Sequence, residues 1–194
     1  MTHLGIFGGT FDPVHNGHLM LADAALSELQ LDRLYLVPAA QSPFKPEDTP
    51  TGNGARLELL QLAFADHDRC EIDPQELQRG GTSYTIDTLR EYTARPPNAP
   101  LTCLIGADHV PTLPQWRDAE ELAELAEFAA VPRPGEAPIN FPPPFRGHWL
   151  SGEPVAVAAS DIRARVREGQ EIQHMVPPAV AGAIANLNLY GEGH

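Results

Sequence analysis

Gly8-Gly9-Thr10-Phe11-Asp12-Pro13-Val14-His15-Asn16-Gly17-His18 follows a short apolar segment, Leu4-Gly5-Ile6-Phe7. It leads into a run in which Leu19, Ala22, Leu26 and Leu29 recur at helical spacing. Strand, glycine turn and helix in that order form an anion-binding unit. Gly8 and Gly9 present no Cβ to an approaching ligand. The free N–H groups and the positive dipole end of the helix converge on one point. His15 and His18, three residues apart, place both imidazoles on one side of that point.

Three other readings of the segment compete with this one. Glycines in a simple turn with incidental surface histidines do not account for two histidines at i and i+3 directly after Gly-Gly. A zinc site could use His-x-x-His as half of its ligands, but no Cys, His or Glu set stands ready to complete it. A dinucleotide-binding dehydrogenase needs G-x-G-x-x-G and an acidic residue ~20 positions on. Here the glycines are Gly5, Gly8 and Gly9, and the second strand ends in Val37-Pro38-Ala39, which excludes it.

Outward from this unit the chain alternates. Strands are expected over residues 4–7, 34–38, 70–72, 101–105, 128–131 and 148–150. Helices are expected over 16–29, 55–65, 84–93, 119–126, 160–168 and 179–186. In the second helix Leu59, Leu62 and Ala63 fall on one face. Residues 132–144 hold six prolines and read as a surface loop. The pattern predicts an α/β fold, a Rossmann-like parallel sheet flanked by helices. A single domain over 1–194 with a helical C-terminal part from about 158 accounts for the whole length.

Composition narrows the partners. A formal net charge of −13 excludes a general nucleic-acid backbone binder. No apolar run approaches the ~18 residues of a membrane span. Two distant cysteines, Cys70 and Cys103, and no secretory leader point to the cytoplasm. An anionic ligand must find its positive field locally. Lys45 is the single lysine beside 12 arginines, and it sits in a proline-bracketed loop.

His15-Asn16-Gly17-His18 resembles the H-x-G-H core of the nucleotidyltransferase superfamily, whose members transfer a nucleotidyl group from a nucleoside triphosphate, usually with magnesium. Four further segments resemble its nicotinate-nucleotide adenylyltransferase branch. In Ser42-Pro43-Phe44-Lys45, Phe44 stands where that branch usually has His, and Lys45 matches. Gly81-Thr82-Ser83-Tyr84-Thr85-Ile86-Asp87-Thr88 offers Thr82 or Ser83 as a helix cap. Leu104-Ile105-Gly106-Ala107-Asp108 is followed by Leu113-Pro114-Gln115-Trp116. In Val157-Ala158-Ala159-Ser160-Asp161-Ile162-Arg163, Ala158 and Ala159 replace two serines and leave backbone N–H contacts.

The resemblance implies an enzyme that joins AMP from ATP to nicotinic acid mononucleotide and releases pyrophosphate. It implies catalytic roles for His15, His18, Lys45 and Arg163. ATP would be held by Gly8, Gly9, Thr10, Phe11, Gly106, Asp108 and Ser160, with Asp108 serving as nucleotide contact, helix cap or both. Thr85 and its backbone would meet the nicotinate carboxylate, Tyr84 would contact the mononucleotide, and Trp116 would stack on the pyridine ring. Mg2+ would be carried mainly on the phosphates, with no protein metal ligand assigned. The partners are then two small molecules, with no nucleic acid and no membrane; homo-oligomerisation stays open. Rival readings are an adenylyltransferase for nicotinamide mononucleotide or phosphopantetheine, a glycerol-phosphate nucleotidyltransferase, and a nucleotide-binding module without catalysis.

Overall fold

A computed structural model describes residues 2–44, 49–95, 99–152 and 155–191. The elements run β1 (Leu4–Gly9), α1 (Asn16–Glu28), β2 (Arg33–Pro38), α2 (Asn53–Ala63), β3 (Cys70–Ile72), α3 (Gln75–Arg79), α4 (Thr85–Thr93) and β4 (Leu101–Leu104). A 3₁₀ helix (Ala107–Gln115) follows, then α5 (Ala119–Leu125), β5 (Glu127–Ala130), β6 (Gly147–Trp149), α6 (Ala159–Arg167) and α7 (Pro178–Asn186). All six expected strands form, and they pair in parallel in the order β3-β2-β1-β4-β5-β6. Residues 132–144 contain no helix or strand.

Period-two alternation divides the core. Phe7, Leu34, Leu36, Leu104 and Ala129 face one side, where Leu21, Leu59, Leu60, Ile162 and Val180 bring in α1, α2, α6 and α7. Ile6, Val37, Cys103 and Phe128 face the other, where Ile86, Leu89, Leu113 and Leu122 bring in α4, the 3₁₀ helix and α5. Both faces are covered, so the strands read as nearly continuous apolar runs. The chain leaves β1 for β2 on one side, and later returns to lay β4 on the other. That reversal opens a crevice at the carboxyl ends of β1 and β4, where α/β sheets bind ligands.

Several local expectations need correction. On α1 the fully buried residues are Leu21, Ala22, Ala24, Ala25 and Leu26, while Leu19 and Leu29 pack only partly against the core. On α2 the buried stripe is Arg56, Leu59, Leu60 and Ala63, and Leu62 is exposed. Neither Thr82 nor Ser83 caps α4: Tyr84 occupies the cap position without a side-chain bond, and Ser83 Oγ accepts from Ala40 N–H at 2.9 Å. The Ser83 hydroxyl instead gives a partner to the loop N–H that follows β2. Asp108 is no cap either, because Gly106 precedes the 3₁₀ helix and Asp108 lies inside its first turn.

Candidate functional site

The turn after β1 is built by close packing and one strained residue. A Cβ on Gly8 would meet nothing within 4 Å, because that face opens onto the crevice. Phe11 adopts φ 48°, a left-handed conformation that costs a non-glycine residue of order 1–3 kcal/mol. Its ring lies 5.4 Å from Phe7 and 4.9 Å from His18, centroid to centroid, and this packing fixes the bend. At Gly17 a Cβ would come within 3.1 Å of the His15 ring. Glycine between the two histidines therefore lets the His15 imidazole lie flat against the helix start.

The two imidazoles are stacked, with centroids 3.7 Å apart. His15 N–H donates to His18 Nδ1 at 3.1 Å. With Nδ1 accepting, the neutral His18 ring carries its proton on Nε2 and offers that N–H as a donor. Burial lowers the His15 pKa to about 4, and burial together with the adjacent His15 pushes His18 well below 6.5. At neutral pH the pair thus acts through N–H dipoles in the free protein, and an anion brought beside it would raise both pKa values. His15 Nδ1 is buried with no hydrogen-bond partner among the described residues. The helix start contributes less than its sequence suggests, since Asn16 N–H is taken by Met175 O at 2.9 Å.

Two features of the turn's support were hidden in the sequence. Arg56, wholly buried on α2, donates to Thr51 O, Thr10 O and Ala39 O at 2.8 Å each and to Asn53 Oδ1 at 2.7 Å. It ties the ends of β1 and β2 to the start of α2. Asp12 is the second hub. Its carboxylate accepts from Tyr190 OH at 2.7 Å and Thr51 N–H at 3.0 Å, and its carbonyl accepts from Arg163 Nη1 at 2.7 Å. The C-terminal segment thereby closes over the N-terminal turn.

The opposite wall comes from the carboxyl end of β4 and from α4. Gly106, Asp108, Thr85, Thr88, Glu76 and Trp116 line it. The Asp108 carboxylate pairs with the Arg133 guanidinium across the mouth. Trp116 lies 5.5 Å from Phe44 and 5.7 Å from His109, with its indole N–H on Thr112 Oγ1 at 3.3 Å. Phe44, which stands where the resembling branch has histidine, thus joins an aromatic group. Burial raises the Glu76 pKa, and Thr88 OH donates to its carboxyl group.

One cleft of about 1180 Å³ joins both walls. It brings together Gly8, Gly9, Thr10, Phe11, His15 and His18 with Arg163, Gly106, Asp108, Thr85 and Trp116. It does not include Tyr84, whose ring lies under the Arg117 guanidinium at 4.7 Å, or Ser160, which is exposed with its hydroxyl on Asp161 at 3.4 Å. Ala159 lines the wall in place of Ser160. Lys45 lies outside the described residues. Among the described residues no three His, Cys, Asp or Glu side chains gather to hold a metal ion. The carboxylates of Asp12 and Asp108 already have partners.

Residues 6–165 match the cytidylyltransferase-like family. A probable nicotinate-nucleotide adenylyltransferase of Geobacillus kaustophilus is 42% identical over 191 residues, covering 98% of this chain and 87% of that one. A protein of the same description from Shouchella clausii is 38% identical over 194 residues, the full length of both. Among solved structures, Plasmodium falciparum nicotinic acid mononucleotide adenylyltransferase complexed with NaAD superposes with a TM-score of 0.80 over 98% of each chain, at 18% identity.

Proposed function

The chain belongs to the cytidylyltransferase-like family and, within it, to the nicotinate-nucleotide adenylyltransferases; from that premise we propose that it transfers AMP from ATP to nicotinic acid mononucleotide. The products are nicotinic acid adenine dinucleotide and pyrophosphate. One observation carries the reading: a single cleft joins an anion turn bearing His15 and His18 to a wall bearing Thr85 and Trp116. The first suits a triphosphate and the second a flat, carboxylated ring.

The chemistry asks for placement rather than a base. A phosphate monoester has its second pKa near ~6, so the acceptor phosphate is mostly dianionic at neutral pH. One of its oxygens attacks the α-phosphorus of ATP, a P–O bond forms, and the α–β bridging oxygen leaves with pyrophosphate. The barrier lies in joining two anions and in charge growing on the transferred and leaving groups. The His18 Nε2–H, the Arg163 guanidinium and the backbone at the Gly8 turn answer that charge. By the same family resemblance, Lys45 takes the same role. Magnesium, carried on the triphosphate, supplies charge neutralisation when bound.

Nicotinate rather than nicotinamide follows from the donor types. Backbone N–H groups at the start of α4 pair with both oxygens of a carboxylate, whereas an amide turns N–H toward N–H. Two unpaired donors at about 1–3 kcal/mol each give roughly a hundredfold discrimination or more. Two unpaired cysteines among the described residues accord with work in a reducing compartment, the cytoplasm. The test is kcat/KM for the two mononucleotides at fixed ATP and magnesium, with product identified. No pyrophosphate release with either acceptor would sink the activity, and equal values would remove the carboxylate account alone.

A further inference from the structure

We infer that Arg167 is a further phosphate-binding residue, holding the terminal phosphates of the triphosphate and then the departing pyrophosphate. The inference rests on the adenylyltransferase reading and extends its binding surface by one helical turn. Ala159, Arg163 and Arg167 all line the cleft. They stand at i, i+4 and i+8 on α6, which is the spacing of one helix face. The family-like motif ends at Arg163, yet the cleft-facing stripe continues. Arg163 donates to Asp12 O, so this face of α6 lies against the triphosphate turn and not against the Trp116 wall. Four residues of helix advance about 6 Å, enough to reach the next anionic group along a bound triphosphate.

Commitments of the other arginines single out this one. In the cleft, Arg133 is paired with Asp108 and Arg163 is bonded to Asp12 O. Arg56 spends its guanidinium on four protein acceptors. Arg167 has no hydrogen bond or ion pair among the described residues, and its side chain is exposed on the cleft rim. In a protein of net charge −13, an unpaired guanidinium facing a phosphate site is the fork that planar bidentate recognition uses.

Arg165 provides the control. It shares the helix and the charge, likewise has no ion pair among the described residues, and does not line the cleft. Arg167→Ala should raise KM for ATP about tenfold, since a charge-assisted hydrogen bond is worth roughly one decade. KM for the mononucleotide should stay within twofold. Arg167→Lys should recover part of the loss, and Arg165→Ala should match the parent. Calorimetric binding of inorganic pyrophosphate to the full chain should weaken by a similar factor in Arg167→Ala only. Unchanged pyrophosphate binding, or equal effects of the two alanine variants, would overturn the inference. Because pyrophosphate binding needs no turnover, it decides the role of Arg167 even if the parent protein proves inactive, which is the outcome that would sink the adenylyltransferase reading.

Discussion

His15 and His18 lie ring on ring, 3.7 Å between centroids and 24° between planes, with the backbone N–H of the first bonded to Nδ1 of the second. The bond leaves His18 one outward donor, Nε2–H, at the mouth of the turn. Stacking and burial keep both rings neutral until an anion arrives. The pair is therefore a preorganised dipole facing the anion turn.

His18→Ala should lower kcat by about 10²–10³, the usual cost of one such donor. The melting temperature should fall by only a few degrees, because the Phe7–Phe11 contact that holds the bend remains while one backbone N–H and the His18 ring contacts are lost. Turnover and thermal melts on the same preparation check this. Normal turnover in a normally melting variant would remove His18 from the chemistry.

Acidification should destabilise the fold through the same pair. The folded His15 pKa is about 4, against 6.5 for a free imidazole. Between those values the unfolded chain binds more protons, so stability is full above pH 6.5 and is lost as pH falls through 4. The His15 contribution comes to about 3 kcal/mol when complete. His18 acts in the same direction, while Glu76, whose pKa burial raises, acts in the opposite one. Urea midpoints at pH 7.5 and pH 5 should fall for the parent and fall less for His15→Asn. An identical drop in the two proteins would contradict the assignment.

Arg56→Met should destabilise by about 3–5 kcal/mol, close to the cost of breaking a buried charged network. It strands the carbonyls of Thr10, Ala39 and Thr51 together. Arg56→Lys keeps the charge and loses the fork, so it should recover only part of the loss. Chemical denaturation of the three proteins gives the ranking. A surface-like loss below ~0.5 kcal/mol would show that the loops close without it.

Arg56 also marks where sequence reading reaches its limit. The parallel sheet was legible because strands buried on both faces read as apolar runs, and the H-x-G-H turn was legible because its residue types are local. On α2 the stripe Arg56, Leu59, Leu60 and Ala63 has the i, i+3, i+4, i+7 spacing. Treating arginine as a solvent residue rotates the inferred face and puts Leu62 inside, where it is not. Only the convergence of three carbonyls from distant loops makes a buried guanidinium favourable, and those loops meet only in the fold. The 3₁₀ helix Ala107–Gln115 escaped for a different reason. Pro111 and Pro114 read as breakers in an α-helical frame. The charge state of the histidine pair depends on burial, which no spacing reveals. Glu76 and Thr88 met in the cleft wall through α3, a five-residue helix too short to show periodicity.

Lys45→Ala should raise KM for ATP and lower kcat, together costing at least tenfold in kcat/KM. Lys45→Arg should restore part of it, since a compact ammonium and a planar guanidinium meet phosphate differently. Steady-state kinetics on both variants test the point. Full activity of the alanine variant would make Lys45 a solvated loop residue.

Asp12 and Tyr190 are joined side chain to side chain across 178 positions. Ribosomes add roughly 5–20 residues per second, so the aspartate waits on the order of ten seconds or more for its phenol to be made. By then all six strands have emerged, while Arg163 and Tyr190 come last. A nascent chain can therefore own its sheet before it owns its site. The full grip on a triphosphate is then completed late in translation, because the Arg163 bond to Asp12 and the Asp12–Tyr190 clasp draw on residues made near its end.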